Sequence, residues 1–259
     1  MIGQTKLLNL VDDYIKNGFP KSLILSGECG CGKHTLMKDI VKRLEIECVD
    51  ITERIDLDTI NEAYMSSERR MYVIDTSGIT DKEQNMILKF IEEPPCNSYV
   101  MLLSSNEQNL LDTIKNRCIV LRFDEYSRDE LMHFIVNKED EKYLDYIKTP
   151  KEAEELDSKK LDSMIKVCNN IVSKLDIASF TNTLSIVNKL ASEEWDLTMF
   201  FRILCVTLEK AYISLDNPKL FDYYNIVREY FSYYTRDTRL NKQNLLTNCL
   251  IKMWEKSRE

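Results

Sequence analysis

The chain has 259 residues, 44% of them hydrophobic and 30% charged, with a formal net charge of −8, which is enough for a real core in one large domain or two to three small ones. No stretch approaches the roughly 20 apolar residues that cross a bilayer, and the opening MIGQTKLLNLVDDYIKN mixes charge into every turn, so a soluble cytoplasmic protein with no membrane partner is expected. The acidic balance excludes a chain that coats itself in nucleic acid, because neutralising phosphates takes clustered Lys and Arg; any DNA contact is local or shared among subunits.

Glycine use divides the chain: five of the six glycines lie in residues 1–32 and the last is Gly78. Short apolar or β-branched runs at 22–26, 46–51, 71–75, 99–103 and 118–123 alternate with helical patterns, which predicts a five-stranded parallel α/β sheet over residues 1–123. The first run leads into SGECGCGKHTLMKDIVKRL, a strand, a glycine turn and an amphipathic helix. That is the context of a phosphate-binding P-loop. Glycines let backbone N–H groups turn onto phosphate oxygens, the helix N-terminus adds a favourable dipole, and a lysine adds a point charge. The loop comprises Gly27, Glu28, Cys29, Gly30, Cys31, Gly32, Lys33, His34 and Thr35. His34 stands where a Ser or Thr hydroxyl normally holds magnesium, and imidazole is a poor ligand for that ion. Thr35 points about 100° away around the helix. Cys31, at the start of the helix, is expected to be a dipole-stabilised thiolate that bound nucleotide would shield.

The third run, MYVID, ends in Asp75 at the carboxyl edge of the sheet, where α/β proteins bind ligands. This carboxylate suits a magnesium-holding Walker B role. Thr76 follows it, and a hydroxyl cannot serve as a base. Thr80 and Glu83 then form a capping box for a helix that Pro94 and Pro95 stop. Glu92 and Glu93 fall at its C-terminal end, against the dipole preference, for no reason the local sequence supplies. Lys82 and Lys89 are either DNA-facing or ordinary surface lysines. The rear of the chain reads as helical: SMIKVCNNIVSKLDIASFTNTLSIVNKL and NKQNLLTNCLIKMWEK space apolar residues by three and four, with breaks at Pro150 and Pro218. A small helical domain is expected at 124–165 and a helical C-terminal domain at 166–259. EDEKY and PKEAEELDSKK read as solvated charge runs. The aromatic FDYYNIVREYFSYYTRD suits either a helical core or an interface. Cys48, Cys96, Cys118, Cys168, Cys205 and Cys249 have no paired ligand spacing and Cys29 with Cys31 has no second pair nearby, so reduced thiols and no zinc are expected.

In order and approximate spacing, IGQ, SGECGCGK, YVID, QNMILKFIEEPP, LLSSN and TIKNRC together resemble the AAA+ clamp-loader family, which includes DNA polymerase III gamma and delta-prime subunits and replication factor C. The resemblance covers residues 3–123. It implies an AAA+ ATPase domain, then a helical lid and a helical collar, with ATP and magnesium as cofactors. It implies other clamp-loader subunits, a sliding clamp and primer-template DNA as partners. It makes Ser105, or the neighbouring Asn106, the sensor 1 side chain, and it makes Arg117 an arginine finger reaching a neighbouring subunit's nucleotide, a contribution of about 10³ to 10⁵ in rate. His34, Thr76, the single cysteine between the two Walker motifs and the missing Gly-x-x-Arg pattern depart from a gamma-type motor. A delta-prime-like subunit that turns over little ATP is the reading, and a gamma-like motor the alternative.

Overall fold

In the computed structural model, which describes residues 2–95, 98–174, 195–236 and 240–258, each of the five expected runs forms a strand. They are β1 (Ser22–Ser26), β2 (Glu47–Asp50), β3 (Arg70–Asp75), β4 (Tyr99–Ser104) and β5 (Ile119–Arg122), parallel in the order β2-β3-β4-β1-β5. Around them lie α1 (Thr5–Asn17), α2 (Lys33–Leu44), α3 (Leu57–Met65), α4 (Asp81–Met86), α5 (Leu88–Glu92) and α6 (Asp112–Lys115). Strand side chains alternate between faces, so β1 sends Leu23 and Leu25 to one side, against Leu7 and Val11 of α1 and Leu36 and Ile40 of α2. Ile24 goes to the other, against Ile60 of α3, Phe90 of α5 and Ile114 of α6. Both faces are covered, which is why β1 and β4 are buried at every position while the edge strand β2 is largely exposed.

The Thr80–Glu83 capping box is present. The single helix expected between it and Pro94 is interrupted at Ile87 (φ −83°, ψ −4°), dividing α4 from α5. The interruption accompanies burial of Ile87, Phe90 and Ile91 together against the sheet.

The chain divides into two compact units, one running to Val136 and including Lys148–Glu154, the other formed by Asn137–Ile147 and the residues from Glu155 onward. The first also holds α7 (Arg128–Met132), with its own Ser127–Glu130 capping box, and α8 (Pro150–Glu154). The second is helical: α9 (Ser158–Lys174), α10 (Leu197–Leu215), α11 (Pro218–Arg236) and α12 (Lys242–Ser257). Its core joins Met164 and Cys168 of α9, Phe201 and Leu204 of α10, Tyr223 and Val227 of α11, and Leu250 and Met253 of α12. The aromatic run divides its labour, with Tyr223 and Tyr234 buried and Phe221 and Tyr233 exposed. Pro150 and Pro218 each open a helix, the position where a missing N–H costs nothing. The helical period expected across 163–190 is seen as far as Lys174; residues 175–190, like Cys96, lie outside the described residues.

One expectation needs correction. EDEKY is not a fully solvated run, because Asp140 and Tyr143 are buried, the first accepting a hydrogen bond from Ser158 Oγ (2.7 Å) and the second joining the helical core. A short 3₁₀ turn there brings one side of the charged segment inward. Among the described residues, no helix is long and apolar enough to cross a membrane.

Candidate functional site

The strand order places a topological switch beside β1. The chain leaves β1 for β2 on one side and leaves β4 for β5 on the other, so a crevice opens at the carboxyl ends of β1 and β4. Three loops meet there. Gly27 N–H, leaving β1, donates to Ser104 O (3.0 Å), and Thr76 N–H, leaving β3, donates to Leu103 O (2.9 Å). Asp75 is level with Leu103 in the register, and Ser26 with Ser104. The structure thus brings the glycine loop, Asp75 and Ser105 to one edge.

Close approach explains two of the glycines. A Cβ on Gly27 would lie 2.8 Å from both Cys31 Sγ and Phe123 Cβ, while Gly30 has φ +83° and a Cβ there would lie 2.6 Å from Lys151 Cβ. Lys33 is only 7% exposed, and its Nζ donates to Gly27 O (2.6 Å) and Glu28 O (2.9 Å). An ammonium held at the mouth of a glycine turn, above a helix N-terminus, fits phosphate oxygens. His34 and Thr35 are exposed on the first turn of α2. Asp75 accepts a hydrogen bond from Ser77 N–H (2.8 Å) on one carboxylate oxygen, and its own N–H is held by Thr52 Oγ1 (2.8 Å). The fit to magnesium is therefore thin: one carboxylate and no hydroxyl directly after the lysine. Thr76 turns its hydroxyl onto Leu103 O (3.1 Å).

Ser105 is exposed, whereas Asn106 Oδ1 accepts from Gln108 N–H (3.0 Å) and caps the turn that follows. Cys31 departs from expectation. It is 3% exposed, and burial pushes its thiol above the ordinary value despite the nearby Lys33 charge. The helix dipole is outweighed by the apolar surroundings. Cys29, by contrast, is exposed.

Sequence reasoning missed a group of residues that return to the loop from beyond the sheet. Tyr126 O–H donates to Cys31 O (2.7 Å), its phenol pushed up to about 12 mainly by burial, so it remains a donor. Lys151 N–H donates to Gly30 O (3.4 Å), and Lys148 Nζ lies 3.5 Å from Glu125 and 3.9 Å from Glu28. A cavity of about 40 Å³ is bounded there by Glu28, Cys31, Phe123, Tyr126, Lys148 and Thr149. Lys151 belongs to the run read as solvated, and its charge concealed the packing role of its stem. Gln4, quoted as part of IGQ, is buried and its amide both donates to Asp124 O (2.7 Å) and accepts from Asp124 N–H (2.8 Å).

Arg117 is elsewhere. It follows α6 and precedes β5, whose first residue Ile119 is level with Leu23 near the start of β1, at the amino edge of the sheet. Four strand residues at about 3.3 Å each separate that edge from the phosphate loop. The Arg117 side chain is 37% exposed; its Nε pairs with Glu92 Oε2 (3.3 Å) and its Nη1 donates to Thr113 O (3.0 Å).

The family described as "DNA polymerase III, delta subunit" matches residues 45–127. The chain is 30% identical to DNA polymerase III subunit delta' of Escherichia coli (strain K12) over 87 residues, 34% of this chain and 23% of that protein. It is 27% identical to DNA polymerase III subunit gamma of Buchnera aphidicola subsp. Schizaphis graminum, across 47% of this chain and 44% of that protein. These matches span less than half the length of the curated relatives. Among solved structures, a gamma subunit-related protein of DNA polymerase III from Thermotoga maritima superposes with a TM-score of 0.51 at 17% identity, covering 97% of this chain and 99% of that one. A variant of Thermotoga maritima RuvB gives 0.55 at 17% identity, covering 83% and 95%. The fold is the α/β AAA+ fold with a helical C-terminal part, and the chain resembles DNA polymerase III delta-prime and gamma subunits.

Proposed function

We propose that this chain is a delta-prime-like clamp-loader subunit of a DNA polymerase III type replisome, which binds ATP weakly and donates Arg117 to a neighbouring subunit while the assembly loads a sliding clamp onto primer-template DNA. The observation that carries this is the separation of Arg117 from its own phosphate loop: the guanidinium is exposed at the opposite edge of the sheet, which supports a role toward another chain's nucleotide rather than its own. Lys33 and backbone N–H groups within residues 27–34, apart from that of Gly27, which is engaged by Ser104 O, would hold the phosphates, with Asp75 reaching magnesium directly or through water, Ser105 nearby, and the metal's part being to neutralise phosphoryl charge. His34 and Thr76 leave hydrolysis without a magnesium hydroxyl and without a water-activating base. In this reading residues 1–123 are the ATPase-like domain, 124–165 the lid and 166–259 the collar, and the site of action is the cytoplasm.

The test is a reconstituted assembly carrying Arg117→Ala or Asp75→Ala beside wild-type partners. Removing an arginine finger costs about 10³ to 10⁵ in rate, so Arg117→Ala should sharply lower DNA-stimulated ATP hydrolysis and Asp75→Ala should lower it far less. If Asp75→Ala is the more damaging, the chain is itself a gamma-like motor and the proposal is reversed.

A further inference from the structure

Glu92 and Arg117 are joined in a way that neither residue's own helix explains. Glu92 is the last residue of α5, where the helix dipole disfavours an anion. Arg117 comes from the turn after α6, 25 residues along the chain. Their contact is an exposed ion pair, with the Arg117 side chain 37% and the Glu92 side chain 58% accessible. Pairs of that kind contribute little to stability. What the pair does is geometric. A guanidinium is a rigid planar fork, so fixing two of its nitrogens fixes the third. Nε is held by Glu92 Oε2 and Nη1 by Thr113 O, the carbonyl of the second residue of α6, while Nη2 has no hydrogen-bond partner among the described residues. The backbone of α5 is secured at the same place, since Tyr64 O–H donates to Glu93 O (3.0 Å) and lies 3.3 Å from Lys89 O.

We propose that Glu92 is a positioning residue that aims Arg117, presenting the Nη2 edge outward to the phosphates of a neighbouring subunit's nucleotide. The inference rests on the arginine-finger reading above. It accounts for a carboxylate at the wrong end of a helix, and it places the Glu-Glu-Pro-Pro segment in the same functional unit as Asn116-Arg117-Cys118. Without Glu92, the long side chain samples several rotamers and the reacting geometry is reached in only some of them; misplacements of about 1 Å cost on the order of a hundredfold.

The experiment measures kcat and KM for ATP in the DNA-stimulated reaction of the reconstituted assembly, with co-elution of all subunits checked for each variant. Glu92→Gln should lower kcat about tenfold to a hundredfold, with KM within about twofold and assembly intact. Glu92→Asp, which keeps the charge, should recover most of the rate. In an Arg117→Ala background, Glu92→Gln should have no further effect, because the two act through one guanidinium. Three results overturn the proposal. If Arg117→Ala cripples the reaction while Glu92→Gln leaves kcat unchanged, the finger stands and its positioning by Glu92 falls. If Glu92→Gln abolishes co-elution or lowers the rate equally in the Arg117→Ala background, Glu92 acts as an interface or fold residue. If Arg117→Ala itself has no effect, the finger reading fails and Glu92 has nothing to aim.

Discussion

Gly30 and Gly78 offer a matched pair. Their backbones are nearly alike, at φ +83° and +85°, but a Cβ on Gly78 meets nothing within 4 Å while one on Gly30 would lie 2.6 Å from Lys151 Cβ and 3.0 Å from Thr149 Oγ1. Alanine at either position incurs the left-handed penalty, roughly 1–2 kcal/mol. Only at Gly30 is there an overpacking cost as well, roughly 1–3 kcal/mol. Gly78→Ala should therefore lose about 1–2 kcal/mol and Gly30→Ala about 2–5 kcal/mol. Both tryptophans, Trp195 and Trp254, belong to the helical unit, so their fluorescence in urea is a control. Amide exchange of β1 and β4 reports the unit that carries the loop. Losses equal to within about 0.5 kcal/mol, the usual additivity error, would mean that Lys148–Glu154 is not seated against the loop.

Lys33→Ala should strongly weaken the ATP binding that calorimetry detects for the unaltered chain, whose Kd is expected to be micromolar or weaker; no heat with millimolar ATP and no change on Lys33→Ala would mean the loop is purely structural. Alkylation should separate the two loop cysteines, with exposed Cys29 reacting readily and buried Cys31 reacting only after local opening. Because the Cys31 thiol is raised in the fold, its contribution to stability is present below the ordinary thiol range and is lost as pH rises through the raised value, so alkaline solution should expose it. Equal labelling of both at neutral pH contradicts the burial.

The sheet was legible because burial on two faces leaves a pattern: the centre of β1 and nearly all of β4 are apolar at consecutive positions, and their limits were found to within a residue. The rear helices were legible for the same reason, through spacing by three and four. What was not legible depends on residues distant in sequence. Nothing near Cys31 announces that Tyr126 will take its carbonyl, or that a seven-residue segment beginning at Lys148 will return to cover Gly30. Cys31 itself was misread because a helix N-terminus is a local feature while desolvation is a tertiary one, and the second outweighs the first here. Glu92 looked misplaced only while its partner was unknown; the structure pairs it with Arg117, 25 residues along the chain.

The end of β4 explains why a departure at position 76 is more than the loss of one base. Gly27 and Thr76 hang on consecutive carbonyls, Ser104 O and Leu103 O, so the phosphate loop and the turn after Asp75 share one anchor. Thr76 adds its hydroxyl to Leu103 O, so that carbonyl accepts from both its backbone and its side chain. A carboxylate at 76 has no proton to donate at neutral pH and would bring negative charge toward that oxygen. It would have to turn outward, giving up the hydroxyl bond for a position from which water could be activated. The turn as built keeps the bond. His34 follows the same logic on the other side of the crevice, exposed on α2 with no oxygen to offer. In the proposed reading both departures leave the scaffold of the site intact while withdrawing the two groups on which turnover would depend. At the far edge of the sheet, Glu92 at the end of α5 meets Arg117, which follows α6. In that reading a chain loses hydrolysis at one edge of its sheet and keeps a presented arginine at the other, with the packed strands standing between the two.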